Sequence, residues 1–445
     1  MPKHFHEIRD PIHVFVRLDT HEREILDSSP FQRLRHIHQL ALTYLVYPGA
    51  SHKRFEHSLG VMELAGRVFD VVTNEQNITD EMRDSLPQLK SKDDLSYWRR
   101  VIRAAALCHD IGHLPFSHAA EKELLPDGWD HERLTRKIID SDHMRPIWDR
   151  ITPPIRSQDI IKLALGPKKA NDLSFADWET ILSEIIIGDA FGVDRMDYLL
   201  RDSHHVGVAY GHFDHYRLID TLRLLPAPGD KKGGSHEPAL GVEEGGLHSA
   251  EALMLARYFM YSQVYFHPVR RIYDIHLKDF LKKWLPSGVF SVEPDEHMKL
   301  TDNEVIAGLR ESALDGHKEG HIDACVIAKR EHFKVLYERN PNDVEINPEA
   351  GQSIFGALSA QFGTQYFRRD RYNQRSGAPD FPVRMRNGDA VSSLAVSETL
   401  NRVPIVSVDY VFADRSIFSE AEKWLKSNRN EIIQPKLEDE NDGST

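Results

Sequence analysis

The sequence predicts a mainly α-helical protein, with a helical core and a smaller α+β appendage in its C-terminal part. Three observations lead to this fold class. Apolar residues recur at helical spacing within 61–72 and 101–108. The stretch 248–285 is also helical in character and is expected to be interrupted or kinked at Pro268, because a proline ring clashes with the preceding turn. Towards the C-terminus the chain becomes rich in arginine and turn residues, and 403–413 alternates like a strand.

The remaining elements follow from local composition. The polar segment 77–94 is expected to be a surface excursion, and the second of the two helices is expected to end near Gly112 and Pro115. A further helix is predicted over 194–206. The segment 225–246 is rich in glycine and proline and predicts a loop or a poor hairpin.

These patterns divide the chain into three parts. We expect a helical catalytic core at 1–285 and an α+β region at 286–435. The last part, 436–445, is expected to be a disordered acidic tail, because it is charged and almost without apolar residues.

Composition excludes several classes of protein. With 40% hydrophobic and 28% charged residues among 445, wholesale disorder is excluded. No apolar run approaches the roughly 18 residues of a membrane-spanning helix, and the N-terminus lacks the apolar segment of a signal peptide. Two cysteines cannot form a disulfide framework, so we expect a cytoplasmic protein. The net charge of −13 argues against a broad nucleic-acid surface, although local basic pockets stay possible.

Histidine is the outlier of the composition, with 25 residues, of which twelve precede position 132. Four candidate metal ligands stand out within this pattern: His57, the adjacent pair His109 and Asp110, and Asp194. Two imidazoles and two carboxylates form a mixed nitrogen and oxygen site, which suits Mn, Fe or Zn better than Mg. Positions left open on such an ion would hold water or a phosphate oxygen.

An isolated His-Asp pair is weak evidence, because a helix-terminal histidine beside a solvated carboxylate explains most such pairs. The surroundings change this interpretation. His113 lies four residues after His109 on the same helical face, and His118 and His131 follow shortly afterwards. A core would not tolerate so many histidines without polar partners. Since imidazoles titrate near neutrality and suit proton transfer, the pattern favours a functional cluster.

The motifs RFEHSLG, LCHDIGHLPFSH, HE and VDRMDYLLRDSHHVGV occur in this order. Together they resemble the HD-domain superfamily, and more specifically its deoxynucleoside triphosphate triphosphohydrolases. The resemblance extends from Asp10 through about Val269, with weaker similarity up to Lys334. It implies an HD-domain helical core that hydrolyses a dNTP to a deoxynucleoside and inorganic tripolyphosphate. The sequence leaves no room before Asp10 for the sterile-alpha-motif domain of the vertebrate enzyme.

The resemblance also implies roles for the histidine cluster. It assigns one divalent metal ion to the four ligands above and leads us to expect Mg bound by the substrate phosphates. The implied catalytic residues are His118, His113, His131 and Glu132. Glu121 stands where the best-studied members have an aspartate, which alters the bond expected to orient His118.

A substrate-binding set follows in the same way. Asp194, Tyr198 and Asp202 are spaced by four, so one helix face presents all three side chains. From spacing alone, the last two are more often ordinary surface or core residues. The resemblance instead implies that they grip the sugar. The full set it implies is Gln39, Leu40, Arg54, Arg195, Tyr198, Asp202 and His267.

Within this set, Gln39 and Leu40 would pack against the deoxyribose, where the leucine would crowd a 2′-hydroxyl. Arg54 and Arg195 would bind phosphates as fork donors. Arg195 replaces a lysine of the vertebrate enzyme, and Gln263 stands where that enzyme has a basic residue.

A second set of matches concerns regulation. Asp27, Gln32 and Arg35 match positions that bind an activating guanine nucleotide in the vertebrate enzyme, and Arg330 and Lys334 match contacts to an effector phosphate near a subunit interface. The resemblance therefore implies a GTP or dNTP effector and a homotetramer. An amphipathic helix with solvated arginines explains the first group equally well, and ordinary surface charges explain the second.

Two alternatives remain. One is an HD phosphohydrolase for a nucleoside monophosphate, a cyclic nucleotide or an alarmone. The other is a regulatory or nucleic-acid-binding HD protein, which only the arginine-rich stretch 368–386 supports and the net charge of −13 weakens. The residues at 39–40, 198 and 202 favour the dNTP hydrolase over the first.

Overall fold

The computed structural model describes residues 5–117, 121–227, 237–373 and 377–434. The predicted fold class is confirmed, since helices dominate and the sheets are small. The helices are α1 (Thr20–Leu26), α2 (Ser29–Arg33), α3 (Arg54–Val72), α4 (Asp80–Ser85), α5 (Lys92–Cys108), α6 (Glu121–Leu124), α7 (His131–Ile139), α8 (Arg145–Arg150), α9 (Ser157–Lys169), α10 (Asp177–Ile187), α11 (Val193–Val206), α12 (His215–Thr221), α13 (Leu247–Met260), α14 (Pro268–Trp284), α15 (Pro294–His297), α16 (Asp302–Leu314), α17 (His321–Ala328), α18 (Pro341–Ile346), α19 (Ala350–Phe362), α20 (Ser393–Val396), α21 (Glu398–Asn401) and α22 (Phe418–Ile432). The strands are β1 (His6–Asp10), β2 (Val14–Leu18), β3 (Leu222–Pro226), β4 (Pro238–Glu243), β5 (Lys334–Glu338), β6 (Phe367–Asn373), β7 (Pro382–Arg384), β8 (Ala390–Ser392) and β9 (Ser407–Ala413).

Helices α3, α5, α9, α10 and α11 form the centre of the molecule and share one apolar core. Helix α3 begins where Glu56 accepts a hydrogen bond from the Lys53 amide, and it buries most of its length. Helix α11 approaches α3 closely at Gly60, where a Cβ atom would lie 1.9 Å from Asp197 Oδ1. This close approach brings the polar side chains of the two helices into contact, and it positions the site described below.

Helix α11 covers the segment predicted to be helical and starts one residue earlier than expected. It ends at Gly207, whose φ of 81° is a left-handed conformation that glycine adopts without strain. The expected interruption before Pro268 is also present. Helix α13 ends at Met260, residues 261–265 form a π-turn, and α14 begins at Pro268. A proline fits this first position because an amide hydrogen there would have no partner within the helix.

Three expectations about secondary structure need correction. Helix α5 ends at Cys108, before the predicted end near Gly112, so His109 and His113 do not share a helical face. The segment 77–94 is not only a surface excursion, because it contains α4 and a 3₁₀ turn at 87–90 that bury Met82 and Leu89. The strand expected over 403–413 begins only at Ser407. Pro404 explains the delay, since a proline has no amide hydrogen to donate to a neighbouring strand.

The strands form three small sheets. Strands β1 and β2 make an N-terminal hairpin, and β9 lies between β5 and β6. Strands β3 and β4 pair antiparallel, which makes the segment 225–246 a hairpin, although residues 228–236 at its tip lie outside the described part. Strand β7 pairs parallel with β4, with Val383 opposite Val242. A strand from the C-terminal part therefore completes a sheet of the helical core.

The C-terminal part also has a core of its own, in which α19 and α22 pack on the sheet β5–β9–β6. The division at 285 stays a prediction, and the tail at 436–445 lies outside the described residues. Within the described ranges, no helix has both the length and the apolar character needed to cross a bilayer.

Candidate metal centre and active site

Four polar side chains from three elements meet at the centre of the helical core. His57 comes from α3, His109 and Asp110 directly follow α5, and Asp194 lies in the first turn of α11. His57 Nε2 is 3.1 Å from Asp194 Oδ1 and 3.7 Å from Asp110 Oδ2. His109 Nε2 is 3.5 Å from Asp110 Oδ1 and 3.6 Å from Asp194 Oδ1. The structure thus brings together all four predicted ligands.

The chemistry of this donor set fits a divalent cation. Nδ1 of His109 donates to the Ala106 carbonyl oxygen at 2.7 Å, so Nε2 carries the lone pair when the ring is neutral. That Nε2 atom is buried and, within the described part of the chain, makes no hydrogen bond. A buried lone pair that faces two carboxylates is costly without a partner, and a metal ion would satisfy it.

Nearby charges set the protonation of the ligands. Burial by itself lowers the pKa of His57, but hydrogen bonds with Asp194 and Asp197 outweigh burial and raise this pKa to about 10. A metal ligand must release its proton before it binds, so metal binding at His57 is coupled to proton release. Metal affinity is therefore expected to rise with pH.

The pKa of the Asp110 carboxyl is shifted in the opposite direction. Burial would raise its pKa, but Arg54, His109 and His113 hold the pKa well below the usual range. One guanidinium nitrogen of Arg54, Nη1, pairs with Asp110 Oδ2, and its Nε donates to Ser117 Oγ at 2.7 Å. The Asp110 carboxylate is therefore ionised over the whole neutral range.

A buried network behind His57 fixes the orientation of its ring. Asp197 Oδ2 lies 2.8 Å from His57 Nδ1, and Asp197 Oδ1 lies 2.6 Å from His13 Nε2. Arg201 donates to Asp197 from Nε at 2.8 Å and to Asp10 from Nη1, also at 2.8 Å. Sequence reasoning missed the role of Asp197. A carboxylate three residues after a predicted ligand, on the buried face of the same helix, was the available signal.

Next to the metal ligands, two histidine rings are stacked. The rings of His113 and His131 are 4.0 Å apart, and His113 Nε2 lies 3.2 Å from Asp110 Oδ1. His131 Nδ1 lies 2.6 Å from Glu121 Oε1 and 3.2 Å from Glu132 Oε2. Glu121, which departs from the family pattern, thus contacts His131. The predicted catalytic residue His118 lies outside the described residues.

The two stacked imidazoles have opposite acid–base character. Burial and the positive charge of Arg54 hold the pKa of His113 well below its usual value. Burial also lowers the pKa of His131, but the hydrogen bond to Glu121 outweighs it and raises this pKa. Paired groups whose pKa values are driven apart are typical of sites that need both an acid and a base.

Helix α11 presents Tyr198 and Asp202 on the same side as Asp194, as the spacing predicts. Asp202 is almost fully buried and forms 2.7 Å hydrogen bonds to His52 Nε2 and to the Tyr265 hydroxyl. The ring of Tyr265 lies edge-on to Tyr198, with the centroids 6.0 Å apart. Sequence reasoning missed His52 and Tyr265, which lie outside the motifs used for prediction.

The predicted sugar-packing pair lies close to this group. The backbone amide of Gln39 donates to the backbone carbonyl oxygen of His52 at 3.0 Å, and the Leu40 side chain is buried. His52 therefore joins the segment of Gln39 and Leu40 to Asp202. Hydrogen bonds connect these residues across more than 150 positions of the sequence.

Two predicted phosphate-binding residues have other contacts in the structure. The Arg195 guanidinium donates from Nη1 to the carbonyl oxygens of Gly188 and Asp189. His267 Nδ1 accepts a hydrogen bond from the Val269 amide at 3.3 Å, at the start of α14. The backbone carbonyl oxygen of Gln263 accepts a hydrogen bond from the Tyr47 hydroxyl.

A cavity of about 650 Å³ opens on the metal centre. His109, Asp110 and Asp194 line one end, His131 and Glu132 lie beside them, and the cavity extends to α9, α10 and the sheet of β4 and β7. This volume lies in the usual range for small-molecule sites. The metal centre is therefore accessible to a ligand.

The predicted effector residues form two separate groups. In the first group, Asp27 accepts a hydrogen bond from Arg23 Nε, and the Gln32 side chain donates to the Leu26 carbonyl oxygen. Arg35 donates to Gln32 Oε1, and its guanidinium lies 3.5 Å from the centre of the Phe55 ring. The other group lies at the start of β5. Arg330 donates to the Leu45 carbonyl oxygen, and the Lys334 ammonium lies 5.4 Å from the Phe418 ring centre.

Comparisons with known proteins agree with this geometry. The HD domain family matches residues 54–199, which contain the four predicted metal ligands, and the HD-associated region matches residues 213–352. A crystal structure of a hypothetical protein from Aquifex aeolicus is 31% identical and superposes with a TM-score of 0.75. It covers 95% of this chain, and this chain covers all of it.

Several longer proteins match in sequence. YwfO of Bacillus subtilis, an uncharacterised protein, is 35% identical over 62% of this chain and 55% of its own length. The deoxynucleoside triphosphate triphosphohydrolase SAMHD1 of Gallus gallus is 29% identical over 85% of this chain and 63% of its own length. Human SAMHD1 is 31% identical over 62% of this chain and 44% of its own length. The chain thus spans about half the length of most of these relatives.

Proposed function

Because this chain belongs to the HD-domain family of phosphohydrolases, we propose that it cleaves dNTPs into a deoxynucleoside and inorganic tripolyphosphate. One observation carries the proposal beyond the family. Hydrogen bonds join the Gln39 backbone, His52 and Tyr265 into one group around the buried Asp202 carboxylate. Asp202 shares its helix with the predicted metal ligand Asp194. A sugar-binding group beside a metal centre suits a nucleotide substrate. The similarity to SAMHD1, a deoxynucleoside triphosphate triphosphohydrolase, supports the same substrate class.

His57, His109, Asp110 and Asp194 would hold one Mn, Fe or Zn ion, with Mg bound by the substrate phosphates. The bound ion supplies Lewis-acid polarisation of a phosphoryl oxygen. Hydrolysis at the α-phosphorus breaks the bond to the 5′-oxygen of the sugar, so that oxygen must gain a proton. The histidine cluster, with His118 as the acting residue, provides it.

The other side chains bind and orient the substrate. Arg54, which pairs with Asp110, would also bind a phosphate of the substrate. Arg195 and His267 would turn towards the outer phosphates. Asp202 would accept the 3′-hydroxyl of the sugar. Tyr198 and Leu40 would close the pocket on the side of C2′ and thereby exclude a 2′-hydroxyl.

Incubation of the full chain with each dNTP and Mn or Mg tests the proposal directly. We expect a deoxynucleoside and tripolyphosphate in equal amounts, separated by anion-exchange chromatography, because cleavage falls at the α-phosphorus. Nucleoside monophosphates, cyclic nucleotides and alarmones serve as parallel substrates. Hydrolysis of one of these, with every dNTP left intact, would favour the alternative phosphohydrolase. The product would be orthophosphate from a monophosphate, a nucleoside monophosphate from a cyclic nucleotide, or pyrophosphate from an alarmone.

We further propose that the chain forms a homotetramer whose active form is favoured by GTP or a dNTP at the sites of Asp27, Gln32, Arg35, Arg330 and Lys334. A nucleotide shifts an assembly equilibrium only if it binds one state more tightly. Light scattering is therefore expected to show a larger particle with GTP than without it, and Gln32→Ala should weaken this response while Arg136→Ala on α7 should not. A monomer that is fully active without an effector would contradict the proposal.

A further inference from the structure

One carboxylate from outside the HD domain accepts hydrogen bonds from two segments of the candidate active site. Asp302 is the first residue of α16, and its side chain is fully buried. Its Oδ2 accepts from the His38 amide at 2.7 Å and lies 2.6 Å from His38 Nδ1, while its Oδ1 accepts from the Phe116 amide at 2.7 Å. His38 directly precedes Gln39 and Leu40. Phe116 lies in the loop that follows the ligands His109 and Asp110.

The loop held in this way has an unfavourable backbone conformation. Phe116 and Ser117 have φ angles of 57° and 56°, a region that residues other than glycine rarely adopt. Two successive residues of this kind persist only where their surroundings hold them. Ser117 Oγ donates to the His38 carbonyl oxygen at 3.2 Å and accepts from Arg54 Nε at 2.7 Å. The loop is thus tied to Asp302, His38 and Arg54 together.

The ring of His38 extends this network to α3. Lys53 Nζ lies 2.6 Å from His38 Nε2, and an ammonium can only donate, so Nε2 accepts. Nδ1 then carries the proton and donates it to Asp302. The chain of hydrogen bonds from Lys53 through His38 to Asp302 therefore has one direction, and it starts at the residue before Arg54.

A second side chain links the same region to the histidine loop. Arg33 is buried and donates to the Leu300 carbonyl oxygen at 2.9 Å and to the His113 carbonyl oxygen at 2.8 Å. The segment 300–302 is thus anchored twice to the active site, although it lies in the HD-associated region.

We propose that Asp302 is a positioning residue through which the HD-associated region holds Leu40 and the loop at 116–117 in place around the metal centre, and thereby sets the preference for deoxyribose. The preference for deoxyribose rests on the proposed dNTP hydrolysis. The anchoring of the two segments does not rest on that proposal, because it follows from the hydrogen bonds alone.

The test uses the full, metal-loaded chain with Asp302→Asn, Asp302→Ala and His38→Ala. The control is Asp343→Asn, since Asp343 is equally buried and binds Arg429 Nη2 at 2.6 and 2.7 Å in the C-terminal part. We expect faster amide hydrogen exchange in peptides covering 36–42 and 111–117 and unchanged metal content. The ratio of kcat/KM for dGTP to that for GTP should fall about tenfold, less than the hundredfold that a full ångström of misplacement can cause. The Asp343→Asn control should change neither the hydrogen exchange of these two peptides nor the dGTP to GTP ratio.

His38→Ala removes the ring contacts with Asp302 and Lys53 but keeps the backbone hydrogen bonds to Asp302, so it tests the inference if the Asp302 variants do not fold. Exchange that rises evenly over the whole chain would mean a general structural role and would overturn the proposal. A dGTP to GTP ratio equal to that of the unaltered chain, despite local exchange, would also overturn it. If the unaltered chain cleaves no dNTP, the proposed function fails, and the exchange pattern alone decides whether Asp302 holds both segments.

Discussion

Asp110→Ala is expected to abolish bound metal and nearly all hydrolysis. The substitution removes an anionic ligand that lies within 3.7 Å of both ligating histidine nitrogens. It also leaves the buried Arg54 guanidinium without its carboxylate partner. Loss of an outer-shell partner typically reduces metal affinity or activity by about 10–100-fold, and loss of a ligand should exceed this. Elemental analysis of the purified protein and dNTP turnover measure the two effects.

Asp159→Asn is a matched control for this experiment. Asp159 is as buried as Asp110 but binds Tyr97 and Arg156 at the start of α9. Its replacement should lower the melting temperature without loss of metal. Full metal content and full activity in Asp110→Ala would instead show that the four-ligand assignment is wrong.

The second large effect concerns the choice between deoxyribose and ribose. Under the proposed function we expect dGTP to be cleaved far faster than GTP. Leu40 and Tyr198 would close the space that a 2′-hydroxyl enters, and the hydroxyl would lose its hydration there. An unpaired buried hydroxyl costs roughly 1–3 kcal/mol on protein mutational scales. Since about 1.4 kcal/mol is tenfold, this gives roughly ten- to a hundredfold discrimination, and steric overlap adds to it.

Shortening the side chain by Leu40→Ala should therefore admit GTP and weaken the binding of dGTP. The kcat/KM values for both nucleotides, in the unaltered chain and the variant, measure the change. Leu42→Ala is a matched control, because Leu42 is equally buried in the same segment but packs in the second apolar core. Equal turnover of dGTP and GTP by the unaltered chain would contradict the proposed pocket and favour another nucleotide substrate.

Much of this protein could be predicted from its sequence. Helical periodicity predicted α3, α5 and α11, and the proline rule located the break before α14, because these features depend on residues close together in the chain. The candidate metal set could be identified because ligand chemistry restricts it to histidine and carboxylate side chains within short motifs. The structure brings those four side chains together, while their roles, like those of the substrate and effector residues, remain predictions.

Only the tertiary structure decided which side chains support the site. His13 and Asp197 are 184 positions apart, and His38 and Asp302 are 264 apart, yet each pair forms a hydrogen bond. The parallel pairing of β4 with β7 also joins residues far apart in the sequence, Val242 and Val383. Local periodicity shows that a carboxylate lies on a buried face, but not which partner satisfies it. That partner depends on how helices far apart in the chain pack together, and packing is a property of the whole fold.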